Sequence, residues 1–262
     1  MTDFATAADG IRIAYEALGA GAPVVLVHGF GSSRVQNWKF PGWYEALSGY
    51  RIIAMDCRGH GQSDKPHDPA HYDHSLMADD VIAVMEAAGE SSAFVMGYSM
   101  GGFIALQLVT TNPERVARLV IGGVGASYLS AAETSTDRLA DPLVRERLAD
   151  ALLVPDKASI TDPIALRFRE FAELPGKDRL ALAACMRAMR PPIRADVLAQ
   201  VEMPVLVVCG EKDDLTGPPG PLAAAFPNGE AMTVPGRDHM SAVGDKVYKD
   251  AVREFLARPT AP

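Results

Sequence analysis

Short runs of consecutive apolar residues recur along this chain, and most of them end in glycine or in a charged residue. Such runs are typical of strands that are buried on both faces of a parallel sheet. Strands are therefore predicted within Pro23–Gly31, Tyr50–Gly61, Ala93–Ser99, Val116–Gly123 and Met203–Asp213. Weaker patterns predict an edge strand in Ile11–Gly19 and a last strand in Glu230–Gly236.

Helical periodicity fills intervals between these strands. Apolar residues recur at helical spacing over Ser75–Ala88, with Ser75 as the predicted N-cap and Gly89 as the stop. Met100–Thr111 and Val243–Ala257 are also predicted to be helical. Buried strands that alternate with helices predict an α/β fold, in which a mostly parallel sheet is flanked by helices on both faces.

The alternation is interrupted between about Ala126 and Val201, where no strand pattern is evident. Prolines divide this region into helix-like segments, namely Pro142–Leu153, Pro163–Leu174, Lys177–Met189 and Arg194–Gln200. The region is too long for a connecting loop in a compact domain. We therefore predict a helical cap (lid) over residues 126–201, inserted into a core of residues 1–125 and 202–262. Its Met186 and Met189 could line a pocket or serve in helix packing alone.

Charge and composition narrow the classes of partner. The 262 residues carry a formal net charge of −8, so there is no basic field to attract nucleic acid or an anionic membrane surface. The three cysteines lie far apart and form no C-x-x-C pair, which favours reduced, buried thiols. The N-terminal residues lack a signal-peptide pattern, and no apolar stretch reaches the length of a membrane span. We expect a cytoplasmic protein.

A serine between two glycines provides the first chemical signal. Gly97–Gly101 reads GYSMG, which fits G-x-S-x-G, and it follows a predicted strand and precedes a predicted helix. This is the setting of a nucleophile elbow, where a tight turn presents the serine hydroxyl and leaves no room for side chains two residues away on either side. The alternative is an ordinary turn serine, because the pattern alone is only modest evidence for a nucleophile. A serine hydroxyl also needs a base to become a nucleophile.

The strand ends supply candidates for that base and for an acid to orient it. His239 follows the last predicted strand, and Asp213 and Asp214 both follow the strand that ends near Cys209. Loops at the carboxyl ends of parallel strands gather at one edge of the sheet, so these side chains are expected near Ser99. The order along the chain is nucleophile, acid, base.

We expect structural roles for the other histidines. His28 is expected to bond to backbone near the first glycine-rich turn, and His60 with Asp56 is expected to tie down the loop around Gly59 and Gly61. The segment HDPAHYDH, residues 67–74, invites a metal-site interpretation because it holds three histidines and two aspartates. It lacks the regular structure that would fix ligands, so a solvated loop and no metal site are expected.

Four blocks together resemble the α/β-hydrolase-fold enzymes over nearly the whole chain: VLVHGFG at Val25–Gly31, DCRGHGQSD at Asp56–Asp64, GYSMGG at Gly97–Gly102, and GEKD with GRDH at Gly210–Asp213 and Gly236–His239. The resemblance implies that the acid is the fourth residue of G-x-x-D, which is Asp213 rather than Asp214. It also implies an oxyanion hole formed by the backbone N–H groups of Phe30 and Met100. Pro218 lies slightly later after the acid than this family usually has it.

The resemblance implies a serine hydrolase of the carboxylesterase, lactonase or perhydrolase type. Ser99, Asp213 and His239 are its expected catalytic residues, and the expected substrate is a small, largely apolar ester, with no cofactor. The dehalogenases and epoxide hydrolases of this fold are excluded, because they carry aspartate where Ser99 stands. Lactone or carbon–carbon bond hydrolysis, thioester hydrolysis and acyl transfer remain open. So does a non-catalytic ligand-binding role.

Overall fold

The computed structural model describes residues 1–130, 141–188 and 193–259. Its strands are β1 Asp3–Thr6, β2 Arg12–Leu18, β3 Pro23–Val27, β4 Arg51–Met55, β5 Ala93–Tyr98, β6 Val116–Gly122, β7 Val205–Gly210 and β8 Gly229–Val234. They form one sheet in the order β1-β2-β4-β3-β5-β6-β7-β8. The pairs β1–β2 and β2–β4 are antiparallel, and all other neighbours are parallel. The predicted mostly parallel sheet is confirmed.

Helices connect these strands. Within the described residues they are α1 Trp43–Ala46, α2 His74–Ala87, α3 Met100–Thr111, α4 Ser127–Ser130, α5 Pro142–Leu153, α6 Pro163–Ala172, α7 Arg179–Arg187, α8 Ala195–Leu198, α9 Gly220–Ala223 and α10 Lys246–Ala257. A π-helical turn spans Val35–Lys39, and 3₁₀ turns span Pro69–Tyr72, Pro113–Arg115, Lys157–Ser159 and Ala242–Gly244. Among the helices of the described ranges, none combines the length and the apolar character of a membrane span.

The central strands are buried on both faces. In β3, Val25 and Val27 join a core cluster with side chains of α2 and α3, whereas Val24 and Leu26 join a second cluster with side chains of α1 and α10. Successive side chains of a strand point to opposite faces, so a strand covered on both sides must be apolar at every position. This explains why the central strands appear in the sequence as continuous apolar runs.

The structure corrects the predicted start of two helices and adds a strand. The N-cap of α2 is Asp73, not Ser75, because the Asp73 carboxylate accepts the Ser75 N–H at 2.8 Å. The last helix begins at Lys246 after Asp245, which caps it by accepting the N–H of Val247 at 2.7 Å. The additional strand β1 has only four residues, of which one is buried, so it produces little pattern in the sequence.

The helices α5, α6 and α7 build a third apolar cluster of their own, which includes Leu148, Leu152, Leu182 and Met186. Each of these helices starts after an aspartate whose side chain accepts N–H groups of the first turn, and α5 and α6 have proline next to it. Aspartate at the N-cap followed by proline is a strong start signal. The predicted helix over Pro142–Leu153 has these bounds, whereas α6 and α7 are shorter than predicted. Met189, the predicted end of α7, lies outside the described residues.

Candidate active site

Ser99 stands in the turn between β5 and α3 with φ 52° and ψ −115°. In the described part of the chain it is the only residue other than glycine with positive φ. A β-carbon on Gly97 would overlap the carbonyl oxygen of Gly101, and one on Gly101 would overlap that of Val27. The two glycines are therefore required by close backbone packing, and the strained conformation at Ser99 presents its hydroxyl above the end of the sheet.

The imidazole of His239 lies between the serine and a carboxylate. Its Nε2 is 3.0 Å from Ser99 Oγ, and its Nδ1 is 2.8 Å from Asp213 Oδ2. An ionised carboxylate can only accept, so Nδ1 carries the proton and Nε2 accepts from the Ser99 hydroxyl. In this tautomer Nε2 can take the serine proton.

Asp213 is held firmly in its position. Its side chain is fully buried, and its Oδ1 accepts the backbone N–H groups of Leu215 and Thr216, both at 3.2 Å. The neighbouring Asp214 is exposed. The structure therefore brings Asp213, and not Asp214, to the histidine.

Tyr98 supports the histidine loop, a contact that the sequence analysis missed. Its buried hydroxyl donates to the carbonyl oxygen of His239 at 2.6 Å, and the two rings are 5.6 Å apart. The residue directly before the serine thus anchors the loop that carries His239. A tyrosine at the end of a buried strand was the only available signal, because a buried hydroxyl usually needs a partner.

The two expected oxyanion donors occupy adjoining backbone segments. Met100 is the first residue of α3, so its N–H belongs to the first turn, whose donors have no acceptor within the helix. Phe30 follows Gly29, whose N–H donates to Asn37 Oδ1 at 3.1 Å. Gly29 also bonds to His28, because its carbonyl oxygen lies 2.8 Å from Nδ1 of that histidine. The Phe30 peptide is therefore held from several sides, as preorganised donors require.

His28 and His60 serve the backbone, as predicted. The Nε2 of His28 accepts the N–H of Cys57 at 2.9 Å, and the Nδ1 of His60 is 2.8 Å from the carbonyl oxygen of Arg58. Burial lowers the pKa of His28 to about 4 and that of His60 to about 3. Both rings are therefore neutral near pH 7 and stabilise the loops beside Phe30.

Asp56 ties the same glycine-rich loop together. Its carboxylate accepts the backbone N–H of Arg34 at 2.7 Å and that of Gln62 at 2.9 Å, and it forms a buried ion pair with the Arg34 guanidinium. A β-carbon on Gly61 would overlap this carboxylate, and the φ of Gly61 is 50°. The glycine is needed for both reasons.

A cavity of about 780 Å³ opens above Ser99. One part of its wall comes from the sheet side, including Phe30, Tyr98 and Met100, and another part comes from α6 and α7. The rings of Phe30 and Phe168 meet edge to face at 5.7 Å. The side chains that α6 and α7 contribute are Ile164, Arg167, Phe168, Phe171 and Met186. Met186 thus lines the cavity, and Met189 lies outside the described residues.

The side chains of the histidine-rich segment, residues 67–74, diverge from one another. His67 pairs with Asp178 at 2.9 Å, His71 lies 3.5 Å from Asp9, and the buried His74 stacks on Phe103 with ring centres 6.1 Å apart. These side chains point to three separate partners. Within residues 1–130, 141–188 and 193–259, no group of three or more His, Cys, Asp or Glu side chains is arranged to hold an ion.

Comparisons with known proteins agree with this architecture. The family model described as alpha/beta hydrolase fold matches residues 22–159. A 2-hydroxymuconate semialdehyde hydrolase from Pseudomonas putida is 31% identical over 97% of this chain and 94% of its own. A hydrolase from Pseudomonas aeruginosa PA01 superposes with a TM-score of 0.79 at 26% identity, over 98% of both chains. An esterase from Rhodococcus sp. ECU1013 does so with a TM-score of 0.72 at 26% identity, also over 98% of both chains. The chain belongs to the α/β-hydrolase fold family.

Proposed function

We propose that this protein is a serine hydrolase that cleaves a carboxylic ester of a small, largely apolar substrate through an acyl-enzyme intermediate. The observation that carries the proposal is the position of the His239 imidazole, 3.0 Å from Ser99 Oγ and 2.8 Å from Asp213 Oδ2. A strained turn that presents Ser99, and an apolar cavity directly above it, support the same chemistry.

The first half of the proposed reaction acylates the serine. Ser99 Oγ attacks the ester carbonyl carbon while His239 Nε2 takes its proton, and Asp213 stabilises the imidazolium that forms. The carbonyl oxygen becomes an oxyanion held by the N–H groups of Phe30 and Met100. The carbon–oxygen bond to the alcohol then breaks, and the leaving oxygen receives the proton from His239.

The second half releases the acid. A water molecule gives a proton to His239 Nε2 and attacks the acyl carbon, and the oxyanion forms again against the same two N–H groups. The bond to Ser99 Oγ breaks, and the serine regains its proton from His239. Every proton that His239 takes is returned, so the steps use only water and groups of this chain.

We also propose that residues 126–201 form a cap over the site. The support is the apolar cluster shared by α5, α6 and α7, together with the five side chains of α6 and α7 in the cavity wall. Side chains of this cap would shape the pocket for the acyl or alcohol group, and closure over the serine would exclude water.

A fluorophosphonate probe and an activated aryl ester test the proposal together. The native protein should be labelled at Ser99 and should hydrolyse 4-nitrophenyl butyrate, whereas Ser99→Ala should lose both properties. Retention of most activity in Ser99→Ala would overturn the assignment. A native protein that is folded and takes up no label would favour a non-catalytic ligand-binding role instead.

Carbon–carbon bond hydrolysis on the same three residues is the second candidate. It is favoured by the Pseudomonas putida relative, which is a 2-hydroxymuconate semialdehyde hydrolase. The substrate panel should therefore contain 2-hydroxymuconate semialdehyde, a lactone series and esters of increasing acyl length. The class with the highest kcat/KM, measured against Ser99→Ala as the blank, decides between the two reactions.

A further inference from the structure

One cation in the cavity wall makes no ion pair or hydrogen bond with the residues that the structure describes. Arg167 on α6 is exposed, and it is the only lysine or arginine among the described residues that line the cavity above Ser99. Within the part of the chain that the structure describes, its guanidinium meets neither a carboxylate nor a carbonyl acceptor. The permanently charged guanidinium of Arg167 is therefore available to bind a ligand in the apolar cavity.

Arg169, two residues further along the same helix, has a structural role by contrast. It is buried and donates to Glu173 at 2.9 Å and to the carbonyl oxygens of Val154 at 2.6 Å and Ala151 at 3.1 Å. These bonds fasten α6 to the end of α5. Residues two apart on a helix point in different directions, so Arg169 faces the helix packing and Arg167 faces the cavity.

The neighbours of Arg167 define the kind of ligand that fits. Ile164 and Phe171 lie three and four residues from it, on the same side of the helix, and Phe168 follows it directly in the chain. All three line the same cavity, so the cation stands beside an apolar surface. A guanidinium binds a carboxylate through two parallel hydrogen bonds. An anion joined to a short hydrocarbon portion would satisfy both features.

The remaining charges of the cavity wall give such a ligand an orientation. Asp238, in the loop that carries His239, contributes a carboxylate to the wall, and this carboxylate already accepts the N–H of Ser241 at 2.8 Å. Its negative charge disfavours an anionic group at that side. The chain as a whole carries −8, so its overall field does not attract anions, and binding depends on the local cation.

We infer that Arg167 binds a carboxylate of the substrate, so that the preferred substrates are esters which carry a free carboxylate a few carbons from the reacting carbonyl. This inference rests on the proposed function, since the carboxylate is placed relative to the bond that Ser99 attacks. The carboxylate can belong to the acyl part, as in a monoester of a dicarboxylic acid, or to the alcohol part, as in an ester of a hydroxy acid.

Two matched pairs of esters test the inference in turnover. For the acyl part, the mono-4-nitrophenyl ester of glutarate is compared with that of glutaramate, which has the same shape without the charge. For the alcohol part, 4-acetoxybenzoate is compared with 4-acetoxybenzamide. We expect kcat/KM to favour the anion by about tenfold in one of the two pairs, mainly through KM, as a charged hydrogen bond of ordinary strength would produce.

Variants assign the preference to Arg167. Arg167→Met should lower the ratio of anionic to neutral kcat/KM to about one, because it removes the charge from the cavity wall, and Arg167→Lys should keep part of the preference. The matched control is Arg147→Met, because Arg147 is an exposed arginine on α5 that does not line the cavity. The control should keep the native ratio.

The outcomes separate this inference from the proposed function. Equal kcat/KM within both pairs for the native protein, or an unchanged ratio in Arg167→Met, would overturn the role of Arg167 even if the esterase activity is confirmed. If no ester is turned over, calorimetric titration of Ser99→Ala with glutarate and with glutaramate still measures the charge preference. Binding of glutarate that is lost in the Ser99→Ala, Arg167→Met double variant would support Arg167 alone, and equal affinity for the two compounds would contradict it.

Discussion

The aromatic ring of Phe171 lies directly against the backbone of Gly31, so that a β-carbon on this glycine would stand 2.8 Å from the ring. Gly31 follows Phe30, whose N–H is the proposed oxyanion donor. The ammonium group of Lys177 also lies over the Phe171 ring, 3.1 Å from its centre. The end of α6 thus rests on the loop that would hold the reacting carbonyl oxygen.

Gly31→Ala should lower kcat/KM by about tenfold or more. The new methyl group fits only if the Phe171 ring, the loop or α6 shifts, and φ at this position is 68°, which costs an L-residue roughly 1–2 kcal/mol. The control is Gly176→Ala, where φ is 83° and a β-carbon would meet nothing within 4 Å. Ester kinetics and thermal unfolding of both variants measure the effect. Equal losses of activity in the two variants would show that the contact with Phe171 is unimportant.

Asp213→Asn should reduce kcat for ester hydrolysis by roughly 10³–10⁴-fold with little change in KM. An amide in place of the buried carboxylate no longer fixes the tautomer of His239 or stabilises its charged form. Asp214→Asn alters an exposed carboxylate next to it and should stay within about twofold of the native rate. Steady-state kinetics on one ester distinguish the two positions. A larger loss in Asp214→Asn would mean that the acid was assigned incorrectly.

Tyr98→Phe should lower both stability and kcat. The variant removes the hydrogen bond to the carbonyl oxygen of His239 and leaves this buried oxygen without its donor, which costs about 1–3 kcal/mol. We expect kcat to fall several-fold, because the loop that carries the base loses an anchor. Urea unfolding and kinetics on one ester measure the two effects.

Tyr248→Phe is the matched control for Tyr98→Phe. Among the described residues, the buried Tyr248 hydroxyl has no hydrogen-bond partner, so its removal should be neutral or stabilising. If both substitutions have the same effect, the bond from Tyr98 to His239 contributes nothing specific.

Acid should destabilise the fold partly through His60. Burial holds the pKa of this histidine at about 3 in the native state, below the ordinary value of 6.5. As the pH falls from 6.5 toward 3, the unfolded chain binds a proton that the folded protein does not, so the free energy of unfolding decreases by about 1.4 kcal/mol per pH unit.

His60→Asn tests this linkage through the slope of the free energy of unfolding against pH. The variant should be less stable at pH 7, but its free energy of unfolding should depend less on pH between 4.5 and 6, by roughly one proton. Loss of packing shifts the whole curve without changing its slope, so the slope is specific to the titration. Urea unfolding at several pH values measures it, and identical slopes in the two proteins would contradict the neutral, buried state of His60.

The sequence predicted the strand order along the chain, the helices between the strands and the polar side chains at the strand ends. These features follow from local spacing: strands buried on both faces must be continuous apolar runs, and the elbow requires glycine at positions 97 and 101. The predicted starts of α2 and of the last helix were wrong, because several residues near each start could serve as N-caps. The four residues of β1 were too few to leave a pattern.

What the sequence determined by itself is therefore the class of fold and the set of residues available for chemistry. Only the tertiary structure placed the carboxylate of Asp213, which the resemblance had already favoured over Asp214, against the His239 imidazole. It also tied the Tyr98 hydroxyl to the backbone of a residue 141 positions away, and it turned Arg169 into the helix packing while Arg167 faced the cavity. The physical reason is that such choices depend on which groups meet after the sheet closes. Spacing along the chain fixes the face on which a side chain lies, but not the distant segment that comes to cover that face.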